Sequence, residues 1–362
     1  MNTCSRHCRC RPARGRARIV MAWILLLMLA TPAPAHAAGG AAGTTAAGFL
    51  GVGTGAGVLG RGGATLGLAG DLTTVPWNAA SLGWLQETQV VLAHATLADQ
   101  AQQEWAAVGG RFGNSALRWS LDGLYQGEGS FEGRSAGNLP TGSFEVSSMA
   151  LALHLARPLG PFATVGLGGR YVAEDLGSAS GTGYGLDAGV QLRAGILGAG
   201  VAVTNFGGGM SYGGERYDLP TNLGLGAALE LPNTGLLLAF DANFPRAYYG
   251  DVRIGAEWRW RDLLALRAGY RRELDAPDEL TESGPGFGIG AGAHGLWLDY
   301  GYIVPGAGEG QHRLSVTLRP GRFAWLKGDP FGQKAMPRAF DEQRPAVPGT
   351  GPAPREDGTQ PK

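Results

Sequence analysis

A row of charged side chains occupies odd-numbered positions in the stretch from residue 248 to residue 271. The set comprises Arg253, Glu257, Arg259, Arg267 and Arg271. A guanidinium group binds a carboxylate through two parallel hydrogen bonds, which leaves two interpretations of this row. The arginines pair with carboxylates of the chain itself in a buried network, or they bind the acidic head group of an amphiphilic ligand. The residue types alone do not choose between these interpretations.

Residues that could support catalysis or bind a metal lack the spacing that these functions need. Beyond residue 37 the histidines are His94, His154, His294 and His312, which lie far apart in the sequence. A metal site needs several such ligands close together. The nearest approach to a nucleophile beside a base is His312 with Ser315, and strand parity places His312 on the lipid side or at the rim. The sequence therefore predicts neither an enzyme nor a metal site.

A glycine pattern and the overall charge bear on cofactors and nucleic acids. Gly55, Gly57 and Gly60 match the dinucleotide-binding pattern G-x-G-x-x-G, but that site needs a preceding strand and a following helix, and neither is evident. The net charge is zero and the basic residues are scattered, which argues against a nucleic-acid partner. We therefore expect no cofactor.

The charged row of residues 248–271 belongs to two strands. Apolar residues such as Ile254 alternate strictly with the charged ones, which is the period of a β-strand. Trp258 and Trp260 end the apolar face beside the turn, and Tyr248 and Tyr270 end it at the other side. Roughly ten residues at about 3.3 Å each, tilted by about 40°, span roughly 25 Å, the height of the apolar band of an outer-membrane barrel. The pattern predicts a hairpin with lipid outside and polar groups inside.

Similar alternation occurs throughout residues 86–323, which we interpret as an all-β, transmembrane antiparallel β-barrel of about 14 strands. The predicted strands cover residues 87–97, 103–112, 115–125, 143–155, 162–173, 182–193, 195–204, 221–230, 235–244, 249–260, 263–271, 286–293, 295–303 and 311–319. Short connectors alternate with longer ones at 126–142, 205–220 and 272–285, as expected for periplasmic turns and outer loops. Further charged residues predicted to face inward are Arg118, Asp122, Arg170, Glu174, Asp187, Arg193, Asp241, Asp299, Arg313 and Arg319.

The two ends of the chain differ from the barrel in composition. Residues 1–37 combine an arginine-rich start, a short apolar run and an Ala-His-Ala motif, the pattern of a cleavable signal peptide. Cleavage after Ala37 would remove all three cysteines. Residues 324–362 are rich in proline and lack apolar periodicity, which predicts a disordered periplasmic tail. Residues 38–85 are glycine-rich and are interpreted as a segment folded into the barrel mouth.

Several stretches resemble the PorV/PorQ family of outer-membrane proteins, which is similar to the FadL fatty-acid transporters. The matching positions of the N-terminal segment are Gly55, Gly60, Gly62, Gly63, Asp71, Trp77 and Asn78. The chain departs from the family pattern at Gly57, Arg61 and Ala79. Later segments, such as those starting at Leu219 and Leu298, resemble the family in its order. The resemblance implies a fourteen-stranded barrel whose lumen is plugged by residues 38–85 as a hatch.

Two functions follow from this resemblance. The first is a FadL-like barrel in the outer membrane that binds or transports a hydrophobic or amphipathic compound, such as a fatty acid. The second is an accessory subunit that works with a secreted protein or a secretion-system subunit, as some PorV-like members do. The first is the main prediction, because an arginine-lined lumen face could neutralise an acidic head group.

Overall fold

The protein folds into a closed antiparallel sheet in a computed structural model, which describes residues 43–278 and 281–323. The strands are β1 (Gln89–Thr96), β2 (Gln102–Arg111), β3 (Arg118–Arg134), β4 (Pro140–Pro158), β5 (Ala163–Asp175), β6 (Ser180–Ala194), β7 (Leu197–Tyr212), β8 (Glu215–Asp218), β9 (Asn222–Leu231), β10 (Leu236–Pro245), β11 (Asp251–Trp260), β12 (Leu264–Glu273), β13 (Gly284–Ala293), β14 (Leu296–Ile303) and β15 (Gln311–Leu318).

Closure of the sheet occurs where β1 pairs with β15 and where β6 pairs with β7. The short strand β8 pairs with the far end of β7, while β7 pairs along its first half with β9. The barrel wall within the described ranges therefore contains fourteen strands, β1–β7 and β9–β15. This confirms the predicted fold, and each predicted strand overlaps one of these fourteen.

The two ends of the barrel carry different connections. One end, here called the turn end, carries the connections at 112–117, 159–162, 195–196, 232–235, 261–263 and 294–295; the other is called the loop end. The two-residue turn between β13 and β14 has His294 at φ 53° and Gly295 at φ 95°. Two successive left-handed residues match the right-handed twist of the flanking strands, so this turn fixes the hairpin register.

Side chains of β11 show the predicted two-sided pattern. Ile254 and Trp258 are 56% and 42% exposed on the outer face, whereas Arg253 and Glu257 are 6% and 3% exposed on the inner face. A strand that alternates in this way inside a closed barrel needs an apolar solvent outside. The predicted direction of these side chains is therefore confirmed.

Two of the predicted outer loops are wrong. Residues 126–142 mostly continue β3 and β4 into a long hairpin, and residues 205–220 mostly continue β7 and form β8. Outside the apolar band both faces of a hairpin meet water, so its strands need no apolar alternation and the sequence pattern is lost. Phe131 and Phe144 stack across the long hairpin with ring centroids 5.7 Å apart.

Tyr248 also departs from its predicted place. It precedes β11, is half-buried and lines an internal cavity, so it does not belong to the outer aromatic level. Tyr270, by contrast, is 39% exposed on the outer face of β12. The alternation of β11 does not extend to a residue before its first hydrogen-bonded pair, which explains the difference.

Residues 43–85 lie inside the barrel as short helical turns joined by extended backbone. They contain helix α1 (Ala56–Leu59) and 3-10 helices at Gly48–Gly51, Leu72–Thr74 and Ala79–Trp84, and two further 3-10 helices lie outside this segment at Ala98–Gln100 and Pro320–Arg322. The segment begins at the loop end, where the Ala46 amide donates to the Asp218 carbonyl at 3.0 Å. It ends at the turn end, where the Thr164 hydroxyl donates to the Ala80 carbonyl at 2.8 Å.

The predicted signal peptide at 1–37 and the predicted tail at 324–362 lie outside the described residues. In the part of the chain that the structure describes, no helix is long and apolar enough to cross a membrane.

Candidate functional site in the barrel lumen

Glycines of the N-terminal segment lie where the backbone touches the barrel wall. A Cβ atom on Gly62 would lie 2.6 Å from the backbone nitrogen of Tyr270, and the φ of Gly62 is +67°. A Cβ atom on Gly60 would lie 2.9 Å from the backbone of β13, and one on Gly63 would lie 2.9 Å from the Arg253 guanidinium. No larger residue fits at Gly62 without displacing the segment.

Polar residues of the N-terminal segment fix its short helical turns. Gly55 precedes α1 with φ 83°. The Asp71 carboxylate accepts a hydrogen bond from the Thr73 amide at 2.9 Å, and the Asn78 side-chain carbonyl accepts one from the Ala80 amide at 3.0 Å. Both are N-cap contacts, which satisfy amides that a helical turn leaves unpaired. These residues of the predicted hatch thus have a local structural role.

A layer of charges, buried apart from the partly exposed Arg259, joins the N-terminal segment to β11, β12 and β14. We call it the ion-pair layer, and it consists of Arg61, Glu257, Arg259, Arg267 and Asp299. The Glu257 carboxylate lies 2.6 Å from Arg61, 2.6 Å from Arg267 and 2.8 Å from Arg259. Arg267 also lies 2.6 Å from Asp299.

Asp241 on β10 provides a second attachment for the N-terminal segment. Its carboxylate accepts hydrogen bonds from the Thr65 amide at 2.6 Å and the Leu66 amide at 3.0 Å. The amide group of Gln191 on β6 donates to the carbonyls of Leu66, at 3.1 Å, and Leu68. Because two strands of the barrel, β10 and β6, bind the same short stretch of backbone, the segment is fixed in the lumen at this height.

A partly open space remains on the loop-end side of these contacts, and we call it the loop-end cavity. Its volume is about 290 Å³. Apolar side chains form much of its wall, including Leu50, Leu66, Trp77, Trp105 and Leu124. A second cavity of about 270 Å³ adjoins it, since both are lined by Trp77 and by residues 51–52.

Charged groups at the loop-end cavity are already paired with one another. The Asp251 carboxylate lies 2.6 Å from Arg253 and 3.4 Å from Arg271, and Arg271 also lies 2.5 Å from Glu282. The Arg253 guanidinium lies 5.0 Å from the Trp77 ring centroid, a cation–π contact. Burial raises the pKa of Tyr248 to about 12, so its hydroxyl is protonated at neutral pH.

A third buried charge cluster crosses β3 to β6 beside the loop-end cavity. His154 lies 3.3 Å from Asp122 and 3.2 Å from Asp187, and Arg170 lies 3.2 Å from Asp187. The Trp105 indole donates to Asp122 at 3.3 Å. Among residues 43–278 and 281–323, no group of three or more His, Cys, Asp or Glu residues has the arrangement of a metal site.

The structure divides the predicted ligand-binding row between two places. Arg253 and Arg271 line the loop-end cavity, whereas Glu257, Arg259 and Arg267 belong to the ion-pair layer. Every one of these arginines lies within ion-pair distance of a carboxylate of the chain. This geometry corresponds to the first of the two interpretations of the row, an internal ion-pair network.

Three contributors to the lumen were not found by sequence reasoning: Arg61, His154 and the cavity-lining Asn222. Arg61 stands where the resembled family has methionine, and its partner Glu257 is 196 residues away in the sequence. Strand parity could have identified His154, because this residue lies among the inward-facing residues of β4. Asn222 begins β9 after a loop, where no alternation marks its direction.

Solved structures of other proteins share this architecture. The barrel is similar to the Ralstonia pickettii toluene transporter TbuX, with a TM-score of 0.54 and 13% identity over 74% of this chain and 98% of that chain. It is also similar to the monoaromatic hydrocarbon channel CymD, with a TM-score of 0.50 and 12% identity over 74% of this chain and 97% of that chain. At such identities the similarity establishes the fold alone.

No family model and no curated protein matches the sequence. The resemblance to the PorV/PorQ family, and with it the secretion alternative, therefore stays a prediction from the sequence.

Proposed function

We propose that the chain is an outer-membrane channel of the FadL type that binds a small hydrophobic compound in the loop-end cavity during its passage. The observation that carries this proposal is the cavity itself, an apolar-walled space of about 290 Å³ in a lumen that the N-terminal segment otherwise fills. For comparison, an apolar cavity of about 150 Å³ is large enough to bind benzene. A single-ring compound therefore fits the cavity.

The paired charges support a binding channel over an open pore. The N-terminal segment is attached to several strands through Glu257, Asp241 and Gln191, so it blocks a wide water-filled route. A filled lumen does not conduct ions freely, which separates this barrel from general porins. Passage then requires the segment to move, as a hatch. The names of the two similar structures, a toluene transporter and a monoaromatic hydrocarbon channel, agree with this class of cargo.

Binding can be tested with the full chain in mild detergent and toluene as the probe. Trp77 and Trp105 line the cavity, so occupation by an aromatic ring should change the intrinsic tryptophan fluorescence. The variant Ala150→Phe places a ring in the cavity wall and should weaken toluene binding at least about tenfold, the equivalent of roughly 1.4 kcal/mol. The matched control is Leu151→Phe, because the neighbouring Leu151 is 48% exposed on the outer face.

Transport needs a separate measurement in cells. Bacteria that carry the chain in the outer membrane should take up radiolabelled toluene faster than bacteria that carry Ala150→Phe. Equal toluene affinity in the unchanged chain and in Ala150→Phe would contradict the assigned site. A purified chain that binds no aromatic compound at all would contradict the proposed function.

A further inference from the structure

A groove crosses the outer face of the barrel wall from β15 over β1, β2 and β3 to β4, and we call it the outer groove. Its volume is about 620 Å³. Two neighbouring rows of outward-facing residues line it, one nearer the loop end and one nearer the turn end. The first row is Leu314, His94, Glu104, Tyr125 and Met149, and the second row is Val316, Leu92, Ala106, Gly123 and Leu151.

Two small residues form the floor of the outer groove. Ala106 on β2 and Gly123 on β3 lie side by side in the second row, between the longer side chains of Leu92 and Leu151. A Cβ atom on Gly123 would lie 4.0 Å from its nearest neighbours on β4, so this part of the floor is open. Leu92 and Leu151 are 51% and 48% exposed and border the floor on its two sides. The floor therefore has room for an apolar chain.

The first row continues around the barrel as a polar level of the outer face. Tyr300 on β14 pairs with Leu314 of this row, and its hydroxyl lies 2.8 Å from His312 Nδ1. Tyrosines on the outer face of a barrel mark the boundary between membrane and water. The second row continues instead with the exposed Leu298. The outer groove thus extends from the membrane boundary into the apolar band.

Two charged side chains lie in the first row, at the middle of the outer groove. His94 Nδ1 lies 2.6 Å from the Glu104 carboxylate, and the two side chains are 46% and 53% exposed. Charged groups on the lipid face of a barrel are costly unless they lie near its boundary with water. A carboxylate has about four acceptor positions, and His94 uses one of them. Glu104 can therefore accept a further hydrogen bond from a molecule in the groove.

The position and chemistry of the outer groove fit a membrane lipid. The outer face of the barrel meets the hydrocarbon of the membrane, so an acyl chain is the apolar group present there. The groove is apolar toward the turn end and polar toward the loop end, which matches the direction of a lipid in the loop-end leaflet. The linkage of the chain matters as well, because an ester only accepts hydrogen bonds whereas an amide or a hydroxyl can donate one to Glu104.

We propose that the outer groove binds one lipid of the loop-end leaflet. An acyl chain of the lipid packs on Ala106 and Gly123, and an amide or hydroxyl group beside that chain donates a hydrogen bond to Glu104. The site therefore prefers a lipid with an amide-linked chain to one whose chains are all ester-linked. This inference goes beyond the proposed function, since the groove lies outside the wall and the loop-end cavity lies inside it.

Sphingomyelin and phosphatidylcholine are suitable probes, because both have a choline head group. Sphingomyelin has an amide-linked chain and a hydroxyl group, whereas phosphatidylcholine has two ester-linked chains. Native mass spectrometry of the full chain in mild detergent measures the dissociation constant of the first bound lipid. We expect sphingomyelin to bind about threefold to tenfold more tightly. Glu104→Leu should bring the ratio of the two constants close to one. The control Gln102→Leu, on the exposed face of β2 outside the groove, should leave the ratio unchanged.

Filling the floor tests the site for the chain. Gly123→Leu and Ala106→Leu each place a side chain in the outer groove and should weaken the binding of both lipids at least about fivefold. Gly169→Leu is the matched control, because Gly169 is exposed on the outer face of β5 and its Cβ would meet no atom within 4 Å. Each variant must first show the circular dichroism and heat-modified gel mobility of the folded barrel. If one filling variant fails to fold, the other decides.

Equal lipid affinity in Gly169→Leu and in a folded filling variant would overturn the proposed site. Equal affinity of the full chain for the two lipids, or a preference for sphingomyelin that persists in Glu104→Leu, would overturn the role of Glu104. A dimer of the chain that dissociates in Gly123→Leu would show that a second copy covers the groove, which also contradicts the proposal. Toluene binding is measured separately, so each of these results leaves the proposed function to its own test.

Discussion

The ion-pair layer and the loop-end cavity occupy the same lumen, but the N-terminal segment fills the lumen at the first and leaves space at the second. In the ion-pair layer the N-terminal segment reaches the wall, and Glu257 is surrounded by Arg61, Arg259 and Arg267. At the loop-end cavity the segment leaves a space of about 290 Å³ between itself and the wall. The first region therefore holds the segment, and the second is where we place the ligand.

The largest effect should come from breaking the ion-pair layer. Glu257→Gln removes the shared carboxylate and leaves Arg61, Arg259 and Arg267 close together with one negative partner, Asp299, on Arg267. Removing one partner of a buried ion pair typically costs about 3–5 kcal/mol, because an uncompensated charge stays buried. The free energy of unfolding in urea, measured in lipid vesicles, should fall by about this amount.

Glu132→Gln serves as the control for this prediction. Glu132 pairs with Arg134 at 2.7 Å in the long hairpin, and both side chains are about half exposed. An exposed pair contributes about 0–1 kcal/mol. Equal losses in Glu257→Gln and Glu132→Gln would mean that the ion-pair layer is not dry and does not hold the segment.

A moderate loss in the free energy of unfolding should come from displacing the N-terminal segment from the barrel wall between the two regions. Gly62→Ala adds a Cβ that would lie 2.6 Å from the Tyr270 nitrogen at a φ of +67°. Gly113→Ala is the matched control, since Gly113 also has positive φ, +57°, but its Cβ would meet no atom within 4 Å. Overpacking a tight site costs about 1–3 kcal/mol beyond the backbone strain that both variants share.

Gly62→Ala should also change the conduction of the barrel. If the N-terminal segment closes the lumen, its displacement should raise the ionic conductance of single barrels in planar bilayers, while Gly113→Ala leaves the conductance low. A conductance that is the same in both variants would argue against a closing role for the segment.

The smallest effect concerns the contact between Arg253 and Trp77 at the cavity. Trp77→Phe keeps an aromatic ring but weakens the cation–π contact and removes the unpartnered indole N–H. We expect unfolding to be easier by about 0.5–1 kcal/mol. Trp260→Phe is the comparison, because Arg261 lies 5.3 Å from the Trp260 ring at an exposed turn, where the contact contributes less. If Trp260→Phe lost more unfolding free energy than Trp77→Phe, the contact at the exposed turn would be the stronger of the two, which contradicts this prediction.

Alternation in the sequence was sufficient to locate the fourteen strands of the barrel and to assign most of their faces. Ile254 and Glu257 could be assigned to opposite sides because lipid outside and a polar lumen inside impose a strict period of two on each strand. Where that constraint ends, at residues 126–142 and 205–220, the extended strands were predicted as loops. Both faces of those extensions meet water, so nothing in the order of residues marks them as strands.

The sequence by itself thus determined the class of fold, the direction of the strand side chains and the fact that charges of both signs meet in the lumen. Only the tertiary structure decided which charges pair, since Arg61 and Glu257 are 196 residues apart and no local period relates them. The cavity was likewise a matter of tertiary structure. It exists because the N-terminal segment is bound by Asp241 and Glu257 at one height and leaves the lumen unfilled at another. The path of a folded segment through a lumen has no counterpart in sequence periodicity.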